Sequence, residues 1–266
     1  MNQNYKEILK VIKKAGQHAL DLEKDLVVKK KGDGVDVVTQ ADHKIEQMLF
    51  ETISKYFSGD GFWGEENEKL RNDQEYTWYI DPIDGTKYYA AGIPLWSVSV
   101  ARVKRGEKIP EFSSIYIPKE NNLFYAIKGE GAYLNDNKLV NKRSLLLRNN
   151  QIQAIEKTTL AFDFSPSEDE EVNKFIYDKF PDLLKNFYRV RFLGVGTLNI
   201  AWTVTGFFGC FIKYLQGTKQ FNDVVAGLLI AQEAGLKVDH QSLDNSLDRI
   251  VICNSESFEK VLKIIK

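Results

Sequence analysis

The chain has 266 residues, 36 Lys plus Arg against 37 Asp plus Glu, and a 43% share of hydrophobic residues. That length can bury a large core as one domain or two closely packed halves, and the balanced charge excludes the broad fields that recruit nucleic acid polymers or an anionic membrane. Cys210 and Cys253 are far apart, each inside an apolar run, and read as buried reduced thiols and not as a disulfide framework.

The N-terminal segment "MNQNYKEILKVIKKAG" is broken by lysines and has no secretory apolar region. No later stretch approaches the roughly 18 apolar residues of a membrane span. A cytoplasmic protein is expected. Ile8, Ile12, Ala15, Ala19 and Leu22 recur every three or four residues and predict a first amphipathic helix. It should end near "KKKGDG", with the lysines as its solvated end. From Asp42 a second helix is predicted through Ile45, Met48, Leu49, Ile53 and Phe57, stopped by "SGDG".

Strands follow. "YTWYI" and the alternating "WSVSVARV" read as two, and "EFSSIYIP" and "NLFYAIKGEGAYLN" continue them, with "KGEG" as a hairpin turn. The polar stretch "LRNNQIQAIEK" suggests a junction between residues 1–150, an α+β half, and residues 151–266, an α/β half. The second half reads strand "TTLAFDF", helix "TLNIAWTVTG", strand "CFIKYL", helix "DVVAGLLIAQEAG", strand "RIVICN" and a last helix capped by Ser255 or Ser257. This alternation predicts a layered α/β architecture.

The chemistry concentrates in "DPIDGT", residues 81–86. A strand should end at Ile80; Pro82 then fixes one backbone torsion and Gly85 permits a tight turn, so Asp81 and Asp84 can converge. Two carboxylates about 4 Å apart repel by about 4 kcal/mol at an effective dielectric of 20. Convergence therefore requires a cation or a shared proton. Oxygen donors without nearby histidine or cysteine suit Mg²⁺. The Ile83 carbonyl can face the same ion, while Gly85 and Thr86 can open a helix whose N–H groups favour phosphate.

The ordinary alternative is an Asx-turn in which Asp84 caps the following helix. Glu65 and Glu66 in "WGEEN" could equally be solvent-facing, and Asp223 and Asp42 could be plain caps of the helices they begin.

Together these stretches resemble the inositol monophosphatase family of Mg²⁺-dependent, lithium-sensitive phosphatases. The matching blocks are "DVVTQAD", "GEE", "DPIDGT" and "NDVVAGLLIAQEAG", in that order, with "GVGTLNIAWTVTG" before the last. The resemblance spans the whole chain and implies a five-layer αβαβα fold, a homodimer, and two or three Mg²⁺ ions acting on a small phosphorylated metabolite. The implied metal ligands are Glu65, Asp81, the Ile83 carbonyl, Asp84 and Asp223. Asp42 and Thr86 would orient the attacking water with the Glu65-bound metal, and Gly85, Thr86, Lys87, Gly194, Gly196 and Lys213 would line the substrate.

Departures from the pattern bear on the substrate. Asn222 stands where the family has a tryptophan. Lys213 falls near the position of a glutamate that contacts sugar hydroxyls in inositol-preferring members, and a cation there argues against plain inositol recognition. Its alternative is a solvent-facing lysine on "CFIKYL". "DGTK" and "AGIPLW" are similar to branches acting on 3′-phosphoadenosine 5′-phosphate and histidinol phosphate. A catalytically weak metal-binding regulator on the same fold is the alternative from another class.

Overall fold

Asn2 accepts a hydrogen bond from the Asn4 N–H and opens α1 (Gln3–Leu22). The computed structural model describes all residues except 27, 32–35, 67–73, 140–153 and 244–246, together with the side chains at 25, 28–31, 36–38, 218 and 219. After α1 the chain forms the hairpin β1 (Val28–Lys31) and β2 (Asp36–Thr39), then α2 (Gln40–Tyr56). The predicted solvated helix end is thus corrected: α1 stops at Leu22, and Lys29 to Lys31 belong to a strand that pairs with β2. The glycines of "KKKGDG" lie outside the described residues.

Seven strands follow in chain order: β3 (Gly61–Gly64), β4 (Tyr76–Asp84), β5 (Ser97–Lys104), β6 (Phe112–Ile117), β7 (Asn122–Ile127), β8 (Gly131–Leu134) and β9 (Asn137–Lys138). They form one sheet in that order, parallel between β3 and β4 and antiparallel elsewhere. The short α3 (Thr86–Ala90) leaves the end of β4. The "KGEG" hairpin joins β7 to β8 as predicted, with Gly129 at φ +80.

The rest of the chain supplies β10 (Thr159–Phe164), α4 (Glu170–Tyr177), α5 (Phe180–Asn186), β11 (Arg189–Arg191), α6 (Gly196–Val204), β12 (Cys210–Gln216), α7 (Gly217–Glu233), β13 (Lys237–Ser242), β14 (Leu247–Cys253) and α8 (Ser255–Ile264). These strands make a second sheet in the order β11-β10-β12-β14-β13. Asn254, not a serine, caps α8 by accepting from the Ser257 N–H.

Burial explains the layering. Ile8, Ile12, Ala15 and Ala19 of α1 and Ile45, Leu49 and Ile53 of α2 pack on Trp78, Ile80, Val98 and Phe112 of the first sheet. The opposite face, through Ala101, Ile115 and Phe124, meets Leu198 of α6 and Val225 and Leu229 of α7. The same two helices use Ile200, Val224 and Leu228 to cover Ala161, Phe211 and Ile250 of the second sheet. Its outer face, through Leu160, Ile212 and Val251, is closed by Val172, Leu183 and Val261 of α4, α5 and α8. The order is helix, sheet, helix, sheet, helix: a mixed α/β fold with five layers. Each fully buried Leu, Ile or Phe in these seams contributes about 1.5–3 kcal/mol. The junction predicted near residue 150 falls largely outside the described residues.

β12 lies inside its sheet with helices on both faces, so its residues alternate between two cores instead of between core and water. Cys210, Ile212 and Tyr214 face α4, α5 and α8, and Phe211 and Leu215 face α6 and α7. Lys213 has the parity of the inner face and is 2% exposed. The solvent-facing alternative for this lysine is therefore wrong.

Candidate active site

The turn that carries the acids is not where the sequence reading ended the strand. β4 runs past Ile80 to Asp84, with Asp81 opposite Ser99 and Asp84 opposite Ser97 on β5. Pro82 and Ile83 thus stand against the single residue Val98, a one-residue bulge at a proline that has no ladder hydrogen to give. In a regular strand, positions three apart point to opposite faces. The extra residue resets the alternation and brings Asp81 and Asp84 onto one side, while Ile80 and Ile83 share the core beneath α1 and α2.

Gly85 then takes φ +95, and a Cβ there would lie 2.5 Å from the Leu95 carbonyl oxygen, so both the torsion and the space demand glycine. Thr86 begins α3, which Tyr89 fastens to α1 by donating to the Ala19 carbonyl at 2.6 Å.

Asp84 does not cap α3. Its Oδ2 accepts the N–H of Thr197 at 2.8 Å and also the Thr197 hydroxyl, so it caps the start of α6 from 113 residues away. Thr197 is in turn 2.6 Å from the Ser97 hydroxyl. Asp223 is not an N-cap either: α7 begins at Gly217, which puts Asp223 in its second turn. Gly196 opens α6 against it, and a Cβ on Gly196 would fall 2.5 Å from the Asp223 carbonyl oxygen. Asn222 donates from Nδ2 to the Ile80 carbonyl at 3.0 Å and holds α7 to β4.

Asp42 is not the N-cap weighed for it: Thr39 caps α2, and Asp42, the third residue of the helix, is the return partner. Its Oδ2 accepts the Thr39 N–H at 2.8 Å and the Thr39 hydroxyl at 2.7 Å, a capping box at the start of α2. Its other oxygen faces Thr86 Oγ1 at 3.3 Å, and that hydroxyl also lies 2.9 Å from the Ile83 carbonyl. One hydroxyl proton serves these two acceptors, which leaves the Thr86 lone pairs turned toward a third group. The cap and the second role thus use different oxygens of one carboxylate.

Glu65 follows β3 at the half-buried start of a bend. Glu46 sets this bend: its Oε2 accepts the Glu66 N–H at 2.9 Å, and it packs so close to Gly64 that a Cβ there would be 2.5 Å away. Glu46, Thr197 and Asp163 were missed in the sequence. Glu46 lies one helical turn after Asp42 on α2, the one spacing that could have signalled it.

The acidic side chains feel one another's charge. Burial first, then the charges of Glu65, Asp84, Asp223 and Asp42, raise the Asp81 carboxyl well above the ordinary carboxylate range. Burial and Asp223 push Asp84 up to about 8, against the hydrogen bonds from Thr197 and the charge of Lys213. Burial also raises Asp42, opposed by its bonds from Thr39.

Asp81 Oδ1 is buried with no hydrogen-bond partner. A buried carboxylate oxygen left so is stable only beside a cation or with a proton. Among the described residues, no three His, Cys, Asp or Glu side chains stand together as a ready-made metal cage. Asp84 instead bonds to Thr197, and Asp223 to Lys213 at 2.8 Å. The unpartnered Asp81 oxygen and the all-oxygen donor set nonetheless fit a hard divalent ion.

The remaining predicted residues scatter more. Lys87 is exposed on α3, and Gly194 is exposed at φ +64, one residue after Leu193, whose carbonyl accepts the Tyr88 hydroxyl at 2.7 Å. A pocket of about 400 Å³ borders the Glu65 bend, lined by His43, Glu46, Gln47, Phe50, Phe62, Gly64 and Ile80.

The model of the inositol monophosphatase family matches residues 2–266. The chain belongs to the inositol monophosphatase family. An inositol-1-monophosphatase of Caulobacter vibrioides is 34% identical over 80% of this chain and 79% of its own length. A fructose-1,6-bisphosphatase/inositol-1-monophosphatase of Thermotoga maritima is 31% identical over 85% of this chain and 80% of its own. The crystal structure of the extragenic suppressor protein suhB from Bartonella henselae superposes with a TM-score of 0.81 at 26% identity, covering 98% of both chains. The protein is accordingly a phosphomonoesterase of this family, an enzyme acting on small phosphorylated substrates. Among the described residues, no helix is long and apolar enough to cross a membrane.

Proposed function

We propose that this phosphatase hydrolyses the phosphate monoester of a polyol or sugar, inositol 1-phosphate foremost, with Mg²⁺ held by Glu65, Asp81, the Ile83 carbonyl, Asp84 and Asp223. The observation that carries the reading is the buried, unpartnered Asp81 oxygen inside the field of Glu65, Asp84, Asp223 and Asp42. Bound there, divalent ions acidify water and neutralise charge on the phosphate and its leaving oxygen.

The chain's own residues supply position. Asp42 accepts from Thr86, and the Thr86 oxygen is then oriented to accept a proton of the attacking water. In this reading the amides of Gly85 and Thr86, at the start of α3, are the N–H donors for the developing anion. For a largely dissociative phosphoryl transfer such positioning and neutralisation supply most of the acceleration.

Lys213 no longer argues against inositol phosphate, because its ammonium is engaged by Asp223 and Asp163. The names of the two curated relatives favour inositol monophosphate and fructose bisphosphate over a 3′-phosphonucleotide or histidinol phosphate. A homodimer in the cytoplasm completes the reading.

The test is a side-by-side panel of inositol 1-phosphate, fructose 1,6-bisphosphate, histidinol phosphate and 3′-phosphoadenosine 5′-phosphate, with Mg²⁺ and with excess chelator. Turnover of the first two, abolished by chelator, is expected. Full activity in chelator refutes the metal assignment, and a clear preference for the nucleotide refutes the substrate class.

A further inference from the structure

Lys213 is the middle residue of β12, between Phe211 and Leu215 on the face that meets α6 and α7. A lysine in that position should be expelled or neutral, because desolvation of an ammonium is costly. Instead Nζ donates to Asp223 Oδ2 at 2.8 Å and lies 3.1 Å from Asp163 Oδ2. Asp163 is its direct register partner on β10, so adjacent strands bring the pair together. Both carboxylates stand at ion-pair distance, so the ammonium is compensated where the strand places it. The result is a unit positive charge fixed on the carboxylate of Asp223 and within the field of Asp84.

We infer that Lys213 is a resident cation of the metal centre, which takes up one oxygen of Asp223 and so weakens the divalent-ion position that Asp223 serves. The inference rests on the Mg²⁺ reading of the site given above. Two consequences follow. An ion bound through Glu65 and Asp81 keeps its full complement of negative charge. An ion bound through Asp223 meets a fixed like charge, and it binds well only when a phosphate dianion enters with it to restore the balance. Lys213 is then a positioning residue, acting on the metal through Asp223 and not on the substrate.

The experiment is calorimetric titration of Mg²⁺ into chelator-stripped protein, without substrate, and then with inorganic phosphate. The variants are Lys213→Gln and the double variant Asp163→Asn with Lys213→Met, which frees the Asp223 carboxylate without leaving Asp163 buried, charged and unpaired. Wild-type protein should show two classes of Mg²⁺ at least about tenfold apart in affinity, the weaker tightened by phosphate. In both variants the weaker class should tighten about tenfold, and phosphate should no longer matter to it. Unchanged or weakened Mg²⁺ binding in a folded variant overturns the inference, since Lys213 would then be inert toward the metal or would only hold Asp223 in place.

Should neither variant fold, the phosphate dependence in wild-type protein decides: its absence is fatal to the inference. Asp81→Asn separates the two levels. Loss of Mg²⁺ binding in that variant, with unaltered binding in the Lys213 variants, leaves the metal site standing and removes only the role of Lys213. No Mg²⁺ binding by wild-type protein removes both.

Discussion

Replacing Asp84 by asparagine should stabilise the metal-free protein while destroying the enzyme. Asp84 is 6% exposed and its carboxyl is raised from 3.8 to about 8 by burial and the Asp223 charge. At 1.36 kcal/mol per unit, the shift corresponds to about 6 kcal/mol against ionisation in the folded state, of which relaxation and entering water leave about 1–3 kcal/mol. A carboxyl with a raised folded-state pKa contributes stability that is complete below its unfolded value near 4 and disappears as pH rises through the folded value. Metal-free wild-type protein should therefore melt progressively lower as pH rises from about 4 to about 8.

Asparagine carries no charge, keeps an oxygen for the Thr197 N–H and offers an amide toward Asp81 and Asp223. At about pH 9 in chelator, Asp84→Asn should melt roughly 3–8 °C above wild type, and the gap should close as pH falls to about 4. Saturating Mg²⁺ should reverse the order, because only wild type gains from the ion. Turnover should fall below detection. Differential scanning calorimetry across this pH range provides the check. A variant less stable than wild type at high pH without metal, or parallel pH profiles, refutes the argument that crowded acids strain this site.

Gly85→Ala should lower stability by about 2–4 kcal/mol, since it adds backbone strain at φ +95 to a clash with the Leu95 carbonyl. It should also cost at least tenfold in kcat through displaced Asp84 and Thr86, and an urea melt with steady-state kinetics tests both; neutral stability refutes it. Cys210 and Cys253, both buried and directly opposed on β12 and β14, should resist a thiol reagent in the native protein and give two reactive thiols per chain in denaturant without reductant. Fewer than two would mean a disulfide between the strands.

The local pattern carried much of the site. Asp81 and Asp84 are three residues apart with a proline and a glycine between and after them, and those constraints act over a single turn, where sequence spacing and spatial distance are nearly the same. The first two helices were legible because their apolar stripes repeat at helical intervals, though their ends were not, as the placement of Lys29 to Lys31 in a strand shows.

What sequence could not supply was the partner of each polar atom. Asp84 caps a helix 113 residues away, Lys213 is neutralised from two other elements, and Cys210 faces Cys253. Such contacts arise where two sheets share one helical layer; the nearly continuous apolar run "CFIKYL" marks a strand covered on both faces but does not name the groups that meet its lysine. Tertiary packing alone decided that the lysine on β12 points into the core and finds its counter-charges there.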